Sequence, residues 1–215
     1  MLEDRVSIAI PTGVLLDGAR ELLARAGLAS ISADELGRQL LVDREQVRVI
    51  LVRPADVPAY VDHGAADLGI VGKDILWETP GNHYELVDLR FGGCRLVLAV
   101  PSESSLNGPQ TWPPLIRVAT KYPLTTAAWF ESRGQAVEVV QLHGSVELAP
   151  QVGLVDGIVD LTATGRTLRE NGLRVAAVLG SSTARLIANQ ASLKTRTAAL
   201  QSIVSRLREA AGRGG

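Results

Sequence analysis

The sequence predicts an α/β fold with mostly parallel sheets, divided into two lobes with an interlobe cleft. Short runs of branched apolar residues alternate with segments of helical spacing through most of the 215 residues. Repeated strand–helix units of this kind favour parallel strand pairing. Several runs end in glycine-bearing turns, which in such sheets lie at the carboxyl ends of strands, where ligands bind. The length suits one large domain or two small ones.

The first ninety residues contain strands and helices in alternation. Val6–Ile10 is a short apolar strand, and Leu15–Ala26 has apolar residues at helical spacing with Gly27 as its stop signal. Proline is tolerated in a first helical turn, so Pro54 predicts a helix that reaches about Gly64. The other predicted elements are strands Gln39–Val42, Val47–Val52, Leu68–Val71 and Tyr84–Leu89, and a helix beginning at Lys73–Trp77.

The rest of the chain repeats the pattern around a proline-rich loop, Pro101–Pro114. Chain crossovers between the two lobes are predicted near Leu89–Cys94 and Leu173–Val175. The predicted strands are Cys94–Val100, Arg117–Thr120, Val137–Gln141, Gly157–Leu161, Leu173–Leu179 and Ala184–Ala188. The predicted helices are Thr125–Arg133, Val146–Val152, one ending near Asn171, and an amphipathic closing helix, Ser192–Ala211.

Composition excludes several classes of function. The net charge is -1, and the pI is about 6.3, which argues against general nucleic-acid or anionic-membrane binding. The acidic N-terminus does not resemble a secretory signal, and no apolar run approaches the roughly eighteen residues of a membrane span. The single cysteine, Cys94, excludes an internal disulfide framework. These features predict a soluble, cytoplasmic protein.

The small number of cysteines and histidines disfavours covalent catalysis and zinc chemistry. Cys94 has no accompanying histidine signature, and a lone cysteine is most often a small buried hydrophobe. The three histidines, His63, His83 and His143, lack metal-ligand spacing. The sequence therefore predicts neither a cysteine nucleophile nor a zinc centre.

One segment, Asp156–Leu168, stands out for its hydroxyl groups. It reads D-G-I-V-D-L-T-A-T-G-R-T-L, a strand followed by a turn, Thr162–Thr167, and the start of a helix. Backbone N–H groups and the helix dipole would make such a turn an anion cradle. An ordinary loop whose threonines cap the helix is an equally good interpretation of these letters.

Charged residues and glycines follow other strands. Arg53 and Lys121 each end a predicted strand, and Glu147 begins a predicted helix, where an acid is favoured by helix polarity alone. Glycine-bearing turns also occur at Pro11–Gly13, Val71–Asp74 and Phe91–Cys94. Taken by themselves, the residues indicate a two-lobed binder of a phosphorylated small molecule, and no more.

Five segments in register resemble the short form of the ATP phosphoribosyltransferase family. The strongest match is E-L-A-P-Q-V-G-L-V-D-G-I-V-D-L-T-A-T-G-R-T-L, and the similarity covers essentially the whole chain. The segments are Val52–Asp74, Gly92–Leu96, Ala119–Pro123, Glu147–Leu168 and Ser182–Lys194. The resemblance implies a periplasmic-binding-protein-like pair of lobes, residues 1–90 with 175–215 and residues 91–174.

The resemblance also implies a reaction and a set of partners. The 5-phosphoribosyl group of phosphoribosyl pyrophosphate would pass to N1 of ATP with release of pyrophosphate, the first step of histidine biosynthesis. Mg²⁺ would accompany the pyrophosphate group, since hard cations prefer oxygen ligands. The short form works with a histidyl-tRNA-synthetase-like regulatory subunit, and a homodimer core within a hetero-oligomer is expected.

The resemblance assigns roles to residues of this chain, without fixing any metal ligand. Catalysis is expected to involve Asp160, Arg53 and Glu147. Phosphoribosyl pyrophosphate is expected to bind Asp156, Asp160, Thr162, Ala163, Thr164, Gly165, Arg166 and Thr167. ATP is expected to bind Thr12, Gly13, Arg53, Asp74, Gly93, Cys94 and Lys121, and Arg95 is a further basic candidate for phosphate contacts.

Two departures from the family pattern remove basic residues. The first turn carries Thr12 and Val14 where the family usually has lysine and arginine, and Ala127 and Ala128 replace a frequent arginine pair. Charge-assisted phosphate contacts are worth about 1.5–3 kcal/mol each, so these losses predict weaker ATP binding. A second hypothesis is therefore a non-enzymatic or catalytically weakened ligand-binding subunit or sensor of the same architecture.

Overall fold

The computed structural model describes residues 5–32, 35, 39–106, 108 and 111–212. The chain forms two compact units, Met1–Gly92 with Thr183–Gly215, and Gly93–Ser182. The sequence placed the return to the first lobe at residue 175, which lies inside a strand, Leu173–Ser182, that pairs along its length within the second unit. No helix of the described part of the chain is long and apolar enough to cross a membrane.

The first unit contains a six-stranded mixed sheet in the order β2-β3-β1-β4-β11-β5. In it, β1 pairs in parallel with β3 and β4, and the other pairings are antiparallel. Its elements are β1 Val6–Pro11, α1 Leu16–Arg25, β2 Leu41–Asp43, β3 Val47–Val52, α2 Val57–Asp62, β4 Leu68–Gly72, α3 Lys73–Glu78 and β5 Tyr84–Asp88, followed after residue 182 by β11 Ala184–Ala188, α6 Gln190–Thr195 and α7 Thr197–Gly212.

Burial on both faces explains why β1 reads as a continuous apolar run. Ile8 and Ile10 belong to the core cluster that includes the buried faces of α1 and α7. Ala9, which points to the other face of the sheet, packs in a second cluster with Val57 and Val61 of α2. The sheet is therefore covered by helices on both sides.

A buried carboxylate ties the C-terminal helices to the first strand. Asp67 is 6% exposed, and its Oδ2 accepts hydrogen bonds from Ser7 N–H at 2.8 Å and Ser7 Oγ at 2.9 Å. Arg196, between α6 and α7, donates from Nη1 to the same oxygen at 2.6 Å. Pairing and hydrogen bonding make the burial of this charge tolerable, so Asp67 is a structural residue.

The second unit contains a five-stranded mixed sheet in the order β10-β6-β9-β7-β8. Here β7 pairs in parallel with β8 and β9, and β6 pairs antiparallel with β9 and β10. Its elements are β6 Cys94–Pro101, β7 Leu115–Thr120, α4 Pro123–Glu131, β8 Ala136–Gln141, β9 Gly157–Thr162, α5 Arg166–Glu170 and β10 Leu173–Ser182.

The α/β class is confirmed, but the prediction of mostly parallel sheets is wrong. In each sheet one strand inserts antiparallel between two strands that run the same way: β6 between β9 and β10, and β11 between β4 and β5. Local periodicity cannot reveal such an insertion, because strand direction depends on which distant strand becomes the neighbour.

Two helix predictions are also corrected. The helix predicted over Val146–Val152 is only a 3₁₀ turn, Val146–Leu148. Pro150, which has no N–H and a fixed φ, opposes its continuation as an α-helix. The single closing helix is two helices, α6 and α7, separated at Arg196. Part of the predicted Pro101–Pro114 loop, residues 107, 109 and 110, lies outside the described residues.

Candidate active site

A cavity of about 400 Å³ opens in the second unit at the carboxyl ends of β7 and β9. This volume is within the range of small-molecule sites. The sequence predicted ligand-binding residues after both of these strands. The cavity is lined by Lys121, Ser145, Glu147, Ile158, Asp160, Leu161, Thr162, Ala163, Thr164, Arg166, Thr167 and Leu168.

The hydroxyl-rich turn after β9 is organised by its own side chains. Gly165 has φ +73° and ψ 8°, a left-handed conformation that glycine adopts without steric cost. Its N–H donates to Thr162 Oγ1 at 2.8 Å, and Arg169 Nη1 donates to the Thr164 carbonyl at 3.2 Å. Leu168 is 5% exposed and fixes α5 to the core of the unit. The turn is therefore held in shape from both ends.

The carboxyl of Asp160 has a pKa raised above its ordinary value by this environment. Burial raises the pKa of its carboxyl, while the Leu161 N–H, at 2.8 Å from Oδ1, and the positive charge of Lys121 lower it. The negative charge of Glu147 adds to the raising effect. A desolvated carboxylate in a cleft with one cationic and one anionic neighbour is typical of a functional site.

Glu147 is brought to the cavity by a strained turn. Ser145, just before it, has φ 44° and ψ 43°, a left-handed conformation in a non-glycine residue. Such conformations cost roughly 1–2 kcal/mol and persist where the surroundings enforce them. Val146, fully buried in the core, supplies that anchor. Sequence reasoning did not single out Ser145, since nothing local signals a positive φ at a serine.

The structure does not bring Asp156 to the cavity. It precedes β9 at the opposite end of the strand from Thr162. Its Oδ2 accepts from Arg117 N–H at 2.8 Å, and its Oδ1 lies 3.4 Å from Arg117 Nη2. The carboxylate pins the start of β7 to β9, so the structure gives no support to the predicted contact of Asp156 with phosphoribosyl pyrophosphate.

Three predicted ATP-site residues lie together at a strand edge of the first unit. The Thr12 N–H donates to the Val52 carbonyl at 2.8 Å, so the turn that begins Thr12–Gly13 lies beside the end of β3, directly before Arg53. Arg53 and Gly13 are exposed, and Thr12 is half-buried. Asp74 is 8% exposed in the first turn of α3, and its carboxylate folds back over Gly72.

Gly93 and Cys94 lie at the same sheet edge as the hydroxyl-rich turn. Cys94 is the first residue of β6, and Arg95 is the register partner of Thr162 on β9. Gly93 is exposed and Cys94 half-buried. The register therefore places Arg95, which is exposed, next to the end of β9.

Three of the four positions that lack the family's basic residues are open to solvent. Val14 is 96% exposed, and Ala127 and Ala128 lie exposed on α4. Longer basic side chains would fit at all three without displacing core residues. Their absence is therefore a property of the sequence rather than a consequence of packing.

The fold of the chain is similar to that of solved solute-binding proteins. Solved periplasmic binding proteins of low identity share the fold: alkanesulfonate-binding SsuA from Xanthomonas axonopodis has a TM-score of 0.60 at 14% identity, covering 96% of this chain and 73% of its own. Arginine-bound ArgBP from Thermotoga maritima has a TM-score of 0.58 at 15% identity, covering 96% of each chain. The protein is thus a periplasmic-binding-protein-like α/β protein with two units.

Within this class, the chain belongs to the ATP phosphoribosyltransferase family. The family described as "HisG: ATP phosphoribosyltransferase" matches residues 53–209. Relatives named ATP phosphoribosyltransferase include one from Rubrobacter xylanophilus, 49% identical over 200 residues (92% of this chain, 93% of the relative), and one from Caldanaerobacter subterraneus, 46% identical over 208 residues (96% and 97%).

A solved relative supports the family at the level of structure. The ATP phosphoribosyl transferase (HisG:HisZ) complex from Thermotoga maritima contains a chain with a TM-score of 0.81 and 32% identity, matched over 97% of this chain and 99% of that one. The protein is therefore a transferase of this family.

Proposed function

We propose that the chain transfers the 5-phosphoribosyl group of phosphoribosyl pyrophosphate to N1 of ATP, with release of pyrophosphate. The observation that carries this proposal is the cavity that Asp160 lines together with Lys121 and the hydroxyl-rich turn. Membership of the ATP phosphoribosyltransferase family supports it. The reaction is the first step of histidine biosynthesis.

The hydroxyl-rich turn is the proposed site of the 5-phosphate. Thr164 and Thr167 are exposed and line the cavity with Ala163 and Arg166. Hydroxyl and backbone N–H donors are suited to phosphate oxygens, and Arg166 adds a positive charge nearby. Arg166 Nε also pairs with Glu170 Oε1 at 2.7 Å, so its contact with phosphate would compete with that ion pair.

Asp160 is the proposed ribose and transition-state contact. Displacement at the anomeric carbon builds oxocarbenium character, so catalysis depends on positioning and charge stabilisation more than on a nucleophile of the enzyme. An ionised Asp160 would accept hydrogen bonds from ribose hydroxyls and stabilise positive charge on the ring. Glu147, which also lines the cavity, would add a second negative charge.

The basic residues are the proposed partners of pyrophosphate and of ATP phosphates. Lys121 lines the cavity, and Arg95 lies at the same sheet edge. In the first unit, Arg53 with Thr12 and Gly13 forms the proposed ATP contact. We extend the ATP site to Asp74, Gly93 and Cys94 only on the family resemblance.

Mg²⁺ is proposed to enter with the pyrophosphate group of the substrate. Among the described residues, no three His, Cys, Asp or Glu side chains are grouped as a metal site. Asp160 and Glu147 alone would leave most of the coordination shell to other oxygens, and Mg²⁺ normally binds through one or two carboxylates together with phosphates and waters. We therefore assign no ligand of this chain to the metal.

A regulatory partner is proposed by analogy with the solved relative. That relative was solved as a HisG:HisZ complex, and this chain matches it over nearly its whole length. We propose that the protein works in the cytoplasm with a HisZ-like, histidyl-tRNA-synthetase-related subunit, around a homodimer of this chain.

Pyrophosphate release tests the proposal directly. The protein is mixed with ATP, phosphoribosyl pyrophosphate and Mg²⁺, with and without its HisZ-like partner, and Asp160→Asn is assayed in parallel. We expect release by the wild type in at least one condition and at least about a hundredfold less by the variant, the usual scale for loss of a transition-state contact. Absence of release in both conditions would refute the transferase, and nucleotide binding by calorimetry without turnover would favour the sensor alternative.

A further inference from the structure

Thr120 occupies the junction of three strands beneath the cavity. It is the last residue of β7, fully buried, and its register partner on β9 is Val159, which directly precedes Asp160. Its Oγ1 donates to the Val159 carbonyl at 2.7 Å and accepts from Tyr122 N–H at 2.9 Å. Its own carbonyl accepts from Leu142 N–H, after β8, at 3.0 Å.

These two hydroxyl contacts bracket Lys121. One fixes the end of β7 to the backbone of β9, and the other fixes the residue after Lys121. Strand pairing already fixes Thr120 beside Val159, and the buried hydroxyl adds the two side-chain contacts that flank Lys121. Lys121 itself is exposed and lines the cavity with Asp160, so its neighbours' hydrogen bonds, rather than its own burial, restrict where its backbone lies.

We propose that the Thr120 hydroxyl is a positioning group of the active site, which holds the turn that carries Lys121 beside Asp160. Valine has nearly the shape of threonine but can neither donate to Val159 nor accept from Tyr122. A valine at this position would leave those two backbone groups without this partner and release the turn. Serine keeps both hydrogen bonds and loses only a methyl group.

The charged groups around Asp160 determine how its pKa responds when Lys121 moves. Lys121 approaches from the turn after β7 and Glu147 from the 3₁₀ turn. Arg166 lines the same cavity from α5, and Arg95 faces the end of β9 from β6. Of these, Lys121 lowers the pKa of Asp160 and Glu147 raises it. Displacement of Lys121 alone therefore moves the titration of Asp160 upward.

The test follows the carboxyl carbon of Asp160 by ¹³C NMR as a function of pH, with the signal assigned by its loss in Asp160→Asn. The proposal rests on the proposed function, but this readout needs no substrate and no turnover. It therefore remains informative if the transferase activity is refuted. The compared proteins are the wild type, Thr120→Ser, Thr120→Val, Lys121→Met and the Thr120→Val/Lys121→Met double variant.

We expect Thr120→Ser to keep the wild-type midpoint and Thr120→Val to move it upward, in the direction of Lys121→Met. In the double variant Thr120→Val adds no further shift, because residues that act through one interaction are not additive. If the protein is active, Thr120→Val also loses up to about a hundredfold in kcat/KM, the scale of a misplaced group, and serine restores it.

Three results would overturn the proposal. A wild-type midpoint in Thr120→Val would show that the hydroxyl is only structural. If Thr120→Val shifts the midpoint equally in the wild-type and Lys121→Met backgrounds, the hydroxyl does not act through the lysine. If Thr120→Ser shifts the midpoint as much as Thr120→Val does, the effect belongs to the methyl group. If circular dichroism shows that Thr120→Val does not fold, Thr120→Ala takes its place with the same expected shift and the same refuting results.

Discussion

Replacement of Gly165 by alanine tests whether the left-handed turn forms the phosphate site. At φ +73° an L-residue pays about 1–2 kcal/mol relative to glycine. The added Cβ would lie 3.1 Å from Arg169 Nη1, which is too close for an ordinary contact. The Arg169 guanidinium must then shift by a few tenths of an ångström, which disturbs its hydrogen bond to the Thr164 carbonyl at 3.2 Å.

The expected result is a loss of both stability and affinity. Strain alone predicts a decrease of about 1–2 kcal/mol in the free energy of unfolding. The same energy, if substrate binding requires the native turn, weakens phosphoribosyl pyrophosphate binding by roughly 5- to 30-fold. Urea unfolding measures the first quantity, and isothermal titration calorimetry with Mg²⁺ and phosphoribosyl pyrophosphate measures the second.

Gly172 provides the matched control. It follows the same helix at φ +67°, and an added Cβ there meets no atom within 4 Å. Gly172→Ala should lose comparable stability and keep wild-type affinity. If Gly165→Ala is destabilised but binds normally, or if both variants lose affinity equally, the turn is a helix cap and not the phosphate site.

The other predictions concern Asp160 of β9, Asp156 directly before it, the hydroxyl-rich turn and the missing basic residues. Because burial raises the pKa of Asp160 above its unfolded value, this carboxyl favours the native state only below the unfolded pKa, and its contribution is lost as pH rises through the folded pKa. Asp160→Asn should therefore be more stable than the wild type at neutral pH, by urea unfolding, yet inactive. Asp156→Ala should lose about 1 kcal/mol of stability through its contacts with Arg117 and keep phosphoribosyl pyrophosphate affinity by calorimetry. Thr164→Val with Gly165→Val should weaken that affinity while circular dichroism shows an intact fold. Val14→Arg should strengthen ATP binding by about tenfold, as expected for one charge-assisted phosphate contact; unchanged affinity would remove this turn from the ATP site.

Local sequence was a good guide where local interactions decide the conformation. Strand β9, the turn after it and the start of α5 lie where the apolar run, the glycine and the threonines predicted them. The apolar run of β1 is likewise explained by burial on both faces. In the turn after β9, hydrogen bonds between residues a few positions apart determine the conformation. In β1, burial of apolar side chains away from water determines it.

Sequence was a poor guide where one distant partner decides a role. Asp156 and Asp160 are both acids of the segment Asp156–Leu168 and were both expected to bind phosphoribosyl pyrophosphate, and only the structure separates them. The partner of Asp156 is Arg117, thirty-nine positions away, and its position before β9 places it at the far end of the strand. The role of Thr120 could not be predicted because its hydroxyl donates to the carbonyl of Val159, which is equally distant along the chain.

The α/β class, the family and the turn that is proposed to hold phosphate could all be inferred from the chain alone. These follow from periodicity, from turn chemistry and from motifs whose spacing is written in the chain. Three features required the folded structure: the antiparallel insertion of β6 and β11, the separation of Asp156 from Asp160, and the contacts of the Thr120 hydroxyl on either side of Lys121. Each of these depends on which remote segments pair, and strand pairing is fixed by the burial and hydrogen bonding of the whole unit.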